Sequence, residues 1–189
     1  MPTETIAPAQ GIPCRDAALF VAQLDRLTSS LWEDVSDATP EELAWQPAPG
    51  MNTMGMLLAH IAIVEVYWID RGVRAVEPVD IMAVLGIGMD DDGIPLRGDG
   101  PPPAALNGRD IGFYDELLVK ARAHTHQVSA QVNDADMERE FERKSRSWPG
   151  SRTSNVRWVY YHMLEHLAGH YGQVLMLRHM YRAQVGARG

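Results

Sequence analysis

From Thr153 to Tyr181, apolar side chains return at Val156, Val159, Met163, Leu167, Val174, Leu177 and Tyr181. These steps of three, four or seven positions fall on one face only of an α-helix, which turns once in about 3.6 residues. A stripe of that length has to be covered, and the natural cover is other helices. This one segment therefore directs the chain towards a helical bundle.

The rest of the sequence supplies the partners. Arg15 to about Val35 carries Leu19, Leu24, Leu27, Leu31 and Val35 close to helical spacing. TPEELAWQPAPG then reads as a short turn of helix and a proline-rich loop ending at Gly50. Asn52 or Thr53 can cap a second long helix continuing to about Gly72. Residues 77 to 109 are dense in glycine and proline and read as a long irregular connection. Asp110 can cap a third helix, FYDELLVKARAHTHQVSAQV. A charged connector, NDADMEREFERKSRSWPGS, follows, and Thr153 or Ser154 starts the fourth helix, reaching about Tyr181. No segment alternates with period two between turn signals, so strands are minor at most. The expectation is an all-α, four-helix bundle with long connections, one domain over residues 1–189.

Composition narrows the function. The net charge is −8, and Lys and Arg are scattered without the basic stripe that meets nucleic-acid phosphates. A single cysteine, Cys14, excludes an intrachain disulfide and fits a reducing compartment. MPTETIAPAQGIP lacks the basic start and apolar run of a signal peptide. The longest apolar stretch, residues 54 to 69, is broken by His60 and Glu65 and is too short for a bilayer. A cytoplasmic protein without nucleic-acid or membrane partners is expected. The cluster Asp90-Asp91-Asp92-Gly93 lacks the alternate-residue spacing and closing Glu of a calcium loop, and reads as a solvated turn.

The chemistry concentrates in HMLEHLAGHYGQ, with His162, His166 and His170 four residues apart. Against the apolar stripe, His170 lies about 20° from the centre, His166 about 60° and His162 about 100°. Residues eight apart sit roughly 12 Å apart along a helix, too far to share an ion, so the phase selects His166 and His170 as a metal-ligating pair. Two imidazoles leave a divalent ion short of ligands, and a third must come from another helix. His60, embedded in MGMLLAHIAIVEVYW, is the first candidate; His124, on the stripe of Phe113, Leu117, Ala121 and Val128, is its rival. His126 falls on a polar face, and His179 reads as a cation favoured at the helix C-terminus. Glu165 is on the solvent side. Glu65 either accepts a hydrogen bond from a ligand histidine or points out between helices.

These segments carry a resemblance. SNVRWVYYHMLEHLAGHYGQVLMLRHM resembles the last helix of the DinB-like superfamily, GMNTMGMLLAHIAIVEVYWIDRG is similar to its second helix, and EELAWQPAPGMNTMG to the preceding loop. The resemblance implies an antiparallel four-helix bundle, often a homodimer, holding a divalent metal on three histidines. In this sequence those are His60 and the H-x-x-x-H pair His166 and His170, followed by Gly172-Gln173. Some branches, mycothiol-dependent ones included, carry Glu where this chain has His166, so the three-histidine version is kept here, while RWVYYHMLEH matches mycothiol-linked relatives.

Three neutral histidines leave positions open on an ion, as in catalytic sites. Imidazole suits zinc, nickel, iron and copper alike. Such an ion can hold a thiol as the nucleophilic thiolate, or lower the pKa of water for hydrolysis. The resemblance implies the first: a transferase acting on a small-molecule electrophile with a low-molecular-weight thiol. A metal-dependent hydrolase is the alternative, as is a non-enzymatic, stress-associated metal-binding bundle. The connection from Glu77 to Arg109 is the expected wall of a substrate cleft, where Met82 and Met89 either adapt to apolar electrophiles or simply pack under the loop.

Overall fold

The computed structural model describes residues 5–94, 101–144 and 150–186. Four long helices, α1 (Arg15–Val35), α3 (Met54–Trp68), α5 (Ile111–Ser129) and α6 (Val156–Gly186), form the bundle. Two short ones, α2 (Pro40–Ala44) and α4 (Ile81–Leu85), lie in the connections. The starts are chemically marked. Thr39, Thr53, Asp80 and Asp110 each accept a hydrogen bond from the backbone N–H three residues on, at 3.0–3.2 Å. Of the two caps left open for α3, Thr53 makes the bond.

Around the bundle α1 packs on α6, α6 on α3, α3 on α5, and α5 back on α1. Side-chain pairs fix the directions. Along α1 and α6, Asp16 pairs with Arg157, the Ser30 carbonyl with Tyr171, and Asp37 just beyond α1 with Arg178, so these helices run parallel. Along α3 and α5, Gly55 abuts Tyr114 and Glu65 binds Arg122, again parallel. Along α3 and α6 the order reverses, with His60 beside His166 and Gly72 beside Val159. Two parallel pairs therefore meet antiparallel across the α3–α6 and α1–α5 contacts. Because α3 and α5 are parallel neighbours, the chain between them has to travel the bundle's length, which accounts for the long connection after Val73.

α3 is the most enclosed helix: eleven of its residues from Met54 to Val66 are buried, with apolar side chains all round it. It continues through a wider turn, Ile69–Val73, where a Cβ on Gly72 would stand 2.5 Å from the Val159 side chain. Only a glycine lets α6 approach there. Arg122 of α5 ties three helices together. Its guanidinium donates to both Glu65 oxygens at 2.8 and 3.0 Å, to Asp25 at 2.9 Å and to Thr28 at 3.1 Å, and Thr125 donates to Glu65 at 2.7 Å. Glu65 is therefore a buried helix clamp; it neither receives a ligand histidine nor points outwards.

Three boundaries differ from the sequence expectation. Residues 140–144 and 151–155 form an antiparallel hairpin, β1 (Glu140–Lys144) and β2 (Ser151–Asn155), in the register Glu140↔Asn155 to Lys144↔Ser151. The α6 cap is then Asn155, accepting from the Trp158 N–H at 2.9 Å, and neither Thr153 nor Ser154. The hairpin escapes a period-two search because Phe141 is its one large apolar residue, packing towards Trp68 and Gly72. Second, α6 runs on to Gly186, so exposed His179 lies two turns short of the end and is not a C-terminal cation. Third, the connection after α3 is less irregular than its composition suggests: α4 is closed by Gly86 at φ 77°, a conformation costly to other residues. Among the described residues no helix is long and apolar enough to cross a membrane.

Candidate metal centre

His60 projects from the middle of α3, and His166 and His170 from one face of α6, where the two helices pass antiparallel. Their Nε2 atoms converge. His166 Nε2 is 3.1 Å from His60 Nε2 and 3.1 Å from His170 Nε2, and one nitrogen from each ring lies within 4.8 Å of the other two. Three nitrogens about 2.1 Å from one tetrahedral ion stand roughly 3.4 Å apart, so the spacing matches a shared cation.

The outer nitrogens decide which way the lone pairs point. His60 Nδ1 lies 2.7 Å from Asp92 Oδ2, a buried carboxylate that can only accept, so the proton is on Nδ1. His170 Nδ1 donates to Gln173 Oε1 at 2.7 Å. In both rings Nε2 is the nitrogen turned to the cluster, the arrangement in which metal-ligating histidines are held by an outer acceptor. Burial and the adjacent His170, His60 and His162 pull His166 down to about 2, and burial chiefly lowers His170 as well. At neutral pH these two imidazoles are uncharged and available as donors. The donor set thus fits a divalent ion, with zinc, nickel and iron all compatible with imidazole nitrogen.

The remaining histidines lie elsewhere. His162 is stacked on Trp158, ring centroids 4.6 Å apart and 12° between planes, with the edge of Trp68 at 5.4 Å. Its Nδ1 bonds Glu165 at 2.8 Å, so the surface Glu165 serves as its partner. His124, the rival for the third ligand, is turned to Asp70 at 2.7 Å, on the α3–α5 side. His126 meets Asp25 at 2.9 Å, half exposed as its polar face requires. Cys14 is buried at the start of α1 and its thiol is pushed up, chiefly by burial, which suits an inert residue.

Two points correct the sequence reading. The helical phase placed His170 nearest the apolar centre, yet His166 is the more desolvated of the pair. α6 is covered by α1 as well as α3, so the centre of its stripe does not coincide with the α3 seam that the histidines face. And Asp92 is not part of a solvated turn. It is 2% exposed, with one oxygen on His60 and the other accepting the Ile94 N–H at 2.9 Å. Asp91 closes the turn instead, accepting from Gly88 N–H at 2.6 Å. Nothing local marks Asp92, because its partner is 32 residues away in sequence.

Beside the cluster lies an open cavity of about 470 Å³, lined by Gly50, Met51, Asn52, Leu57, Ile94 and, from α6, Gln173, Met176, Leu177 and Met180. The connection expected to wall the cleft contributes through Ile94. Met82 and Met89 are largely exposed and do not line it.

A search of the curated proteins finds none that matches the chain. The family model described as the DinB superfamily matches residues 23–174, a span holding all three converging histidines, Asp92 and Gln173. With a four-helix bundle carrying three histidines at the α3–α6 seam, and a family match over most of its length, the chain belongs to the DinB superfamily.

Proposed function

We propose that this protein is a divalent-metal-dependent transferase that joins a low-molecular-weight thiol to a small-molecule electrophile. The observation that carries the reading is the ligand set: three imidazoles converge, and among the described residues no fourth histidine, cysteine or carboxylate joins the group. Three protein ligands with room for an exogenous one characterise catalytic sites, whereas structural sites are closed by a fourth. An ion bound there supplies the positive charge that keeps a thiol in its thiolate form near neutral pH.

The chain's own residues do the rest. His60, His166 and His170 hold the ion, Asp92 and Gln173 fix the outer nitrogens of two of those rings, and the apolar wall beyond Gln173 offers the electrophile a surface beside the ion. Cys14 is buried in a separate region, so the sulfur nucleophile has to arrive from outside. A homodimer is part of the same proposal, on the strength of the family resemblance.

The test is elemental analysis of the purified protein, followed by conjugation of a generic electrophile with mycothiol, bacillithiol, glutathione and no thiol side by side. Thiol-dependent product formation that chelation removes is the expected result. Consumption of an ester or amide regardless of thiol would replace the transferase with a hydrolase.

A further inference from the structure

The cavity beside the histidines has an unusual wall for a site of charged chemistry. Its side chains are Met51, Leu57, Ile94, Met176, Leu177 and Met180, with Asn52 and Gln173 as the polar members, and among the described residues none of them is charged. Met51 and Met176 are 44% and 60% exposed, apolar groups left facing an open concavity. A volume near 470 Å³ lies within the range of small-molecule pockets, about 300–1,000 Å³. Methionine's flexible thioether suits a wall that moulds to differently shaped apolar ligands.

Two connections tie this wall to the histidine cluster. Gln173 lines the cavity and also accepts the Nδ1–H of His170. Ile94 lines it from the opposite element, and its N–H is bonded to Asp92, whose other oxygen holds His60. One side of the cavity therefore bonds a metal-ligating ring directly, and the other reaches one through Asp92. A cleft lined by α6, the start of α3 and two loops, with the polar Gln173 bonded to His170, orients a molecule that is apolar along its body and polar at the reacting end.

We infer that this cavity binds an uncharged, largely apolar substrate with its polar end at Gln173, beside His170. The inference rests on the metal-dependent function proposed above and names the substrate class for it. Among the described residues the wall offers a carboxylate or phosphate no cationic side chain, which favours an uncharged ligand along the body of the cavity.

The test uses the full chain and two fluorescent probes of nearly the same aromatic framework. One is neutral N-phenyl-1-naphthylamine; the other is anionic 8-anilinonaphthalene-1-sulfonate. The neutral probe should bind at one site per chain, at least tenfold tighter than the sulfonate. Met176→Glu and Met180→Glu, both at exposed positions that tolerate a charge, should each weaken it at least tenfold. Val119→Glu, on an exposed part of α5, should leave it unchanged. Metal content, measured on the same samples, should be the same in all three variants, so loss of the cavity is read separately from loss of the metal site. With cobalt bound, the probe's aromatic proton resonances should broaden relative to the zinc form. Equal binding of the two probes, indifference to both methionine substitutions, or equal line widths in the cobalt and zinc forms would overturn the assignment. So would a wild-type dimer that Met176→Glu converts to monomer, since the face would then belong to a second copy of the chain.

Discussion

Removing the Asp92 carboxylate isolates what a buried outer partner contributes to metal affinity. Asp92 Oδ2 accepts from His60 Nδ1 at 2.7 Å while Oδ1 accepts from Ile94 N–H at 2.9 Å, and the residue is almost inaccessible to water. In Asp92→Asn only one of those positions can remain an acceptor. If the amide oxygen stays on His60, the NH2 group faces the Ile94 N–H, donor against donor. Asp92→Ala loses both bonds and frees His60 to carry its proton on Nε2, where it blocks the ion. Outer-partner substitutions weaken metal binding by about 10- to 100-fold, which is about 1.4–2.7 kcal/mol. We expect Asp92→Asn near the lower figure and Asp92→Ala near the upper. Competition of zinc between protein and a fluorescent chelator at pH 7.5 measures this, with urea unfolding of the metal-free variants alongside to separate fold from affinity. Zinc affinity in Asp92→Ala within a factor of two of wild type, with the metal-free fold intact, would refute the reasoning.

His162→Ala should leave metal content nearly intact while His166→Ala removes most of it; equal losses in elemental analysis would mean that the wrong pair was chosen. Arg122→Ala strands Glu65 in the core, and a broken buried ion pair costs about 3–5 kcal/mol, visible as a lower urea midpoint; Glu65→Gln paired with it should recover part of the loss. For pH, the folded His166 is pulled down to about 2 from an ordinary 6.5, so below pH 6.5 the unfolded chain takes up a proton that the folded one refuses. Stability of the metal-free protein therefore falls as pH drops through that window, by about 2.7 kcal/mol at pH 4.5, two units below the ordinary value. His166→Gln should flatten the curve measured by urea unfolding between pH 7 and 4.5, and an unchanged slope would rule out His166 as its source.

The helices were legible because α1, α5 and α6 each carry a periodic stripe and α3 an almost unbroken apolar run, and because caps, prolines and glycines punctuate them. Their directions were not, since a stripe has no polarity; only contacts such as Asp16 with Arg157 and Glu65 with Arg122 reveal parallel pairs. The hairpin was hidden because a strand such as SRTSN offers nothing apolar to alternate. At the site, His166 and His170 were readable from a four-residue spacing, and His60 from being the one imidazole in an apolar helix. Its choice over His124 came from the family resemblance, and the structure turns His124 to Asp70 instead. Asp92 and the methionine cavity depend on how a long connection and α6 meet, which no local pattern encodes.

α3 raises a last question of aim. A helix greasy on every side has no preferred face, and burial alone would let it turn about its axis with little change in covered area. Its polar residues, with Asp70 in the wider turn that continues it, remove that freedom. His60, Glu65 and Asp70 follow each other at five-residue intervals, about 140° apart around the axis, and each meets a different surrounding: α6 and the Asp92 loop, then Arg122 and Thr125, then His124 and Arg74. A rotation that kept one of these engaged would break the other two. The three act like the teeth of a key, and the Glu65 clamp, roughly 7.5 Å along the helix from His60, holds the imidazole on its bearing before any ion arrives.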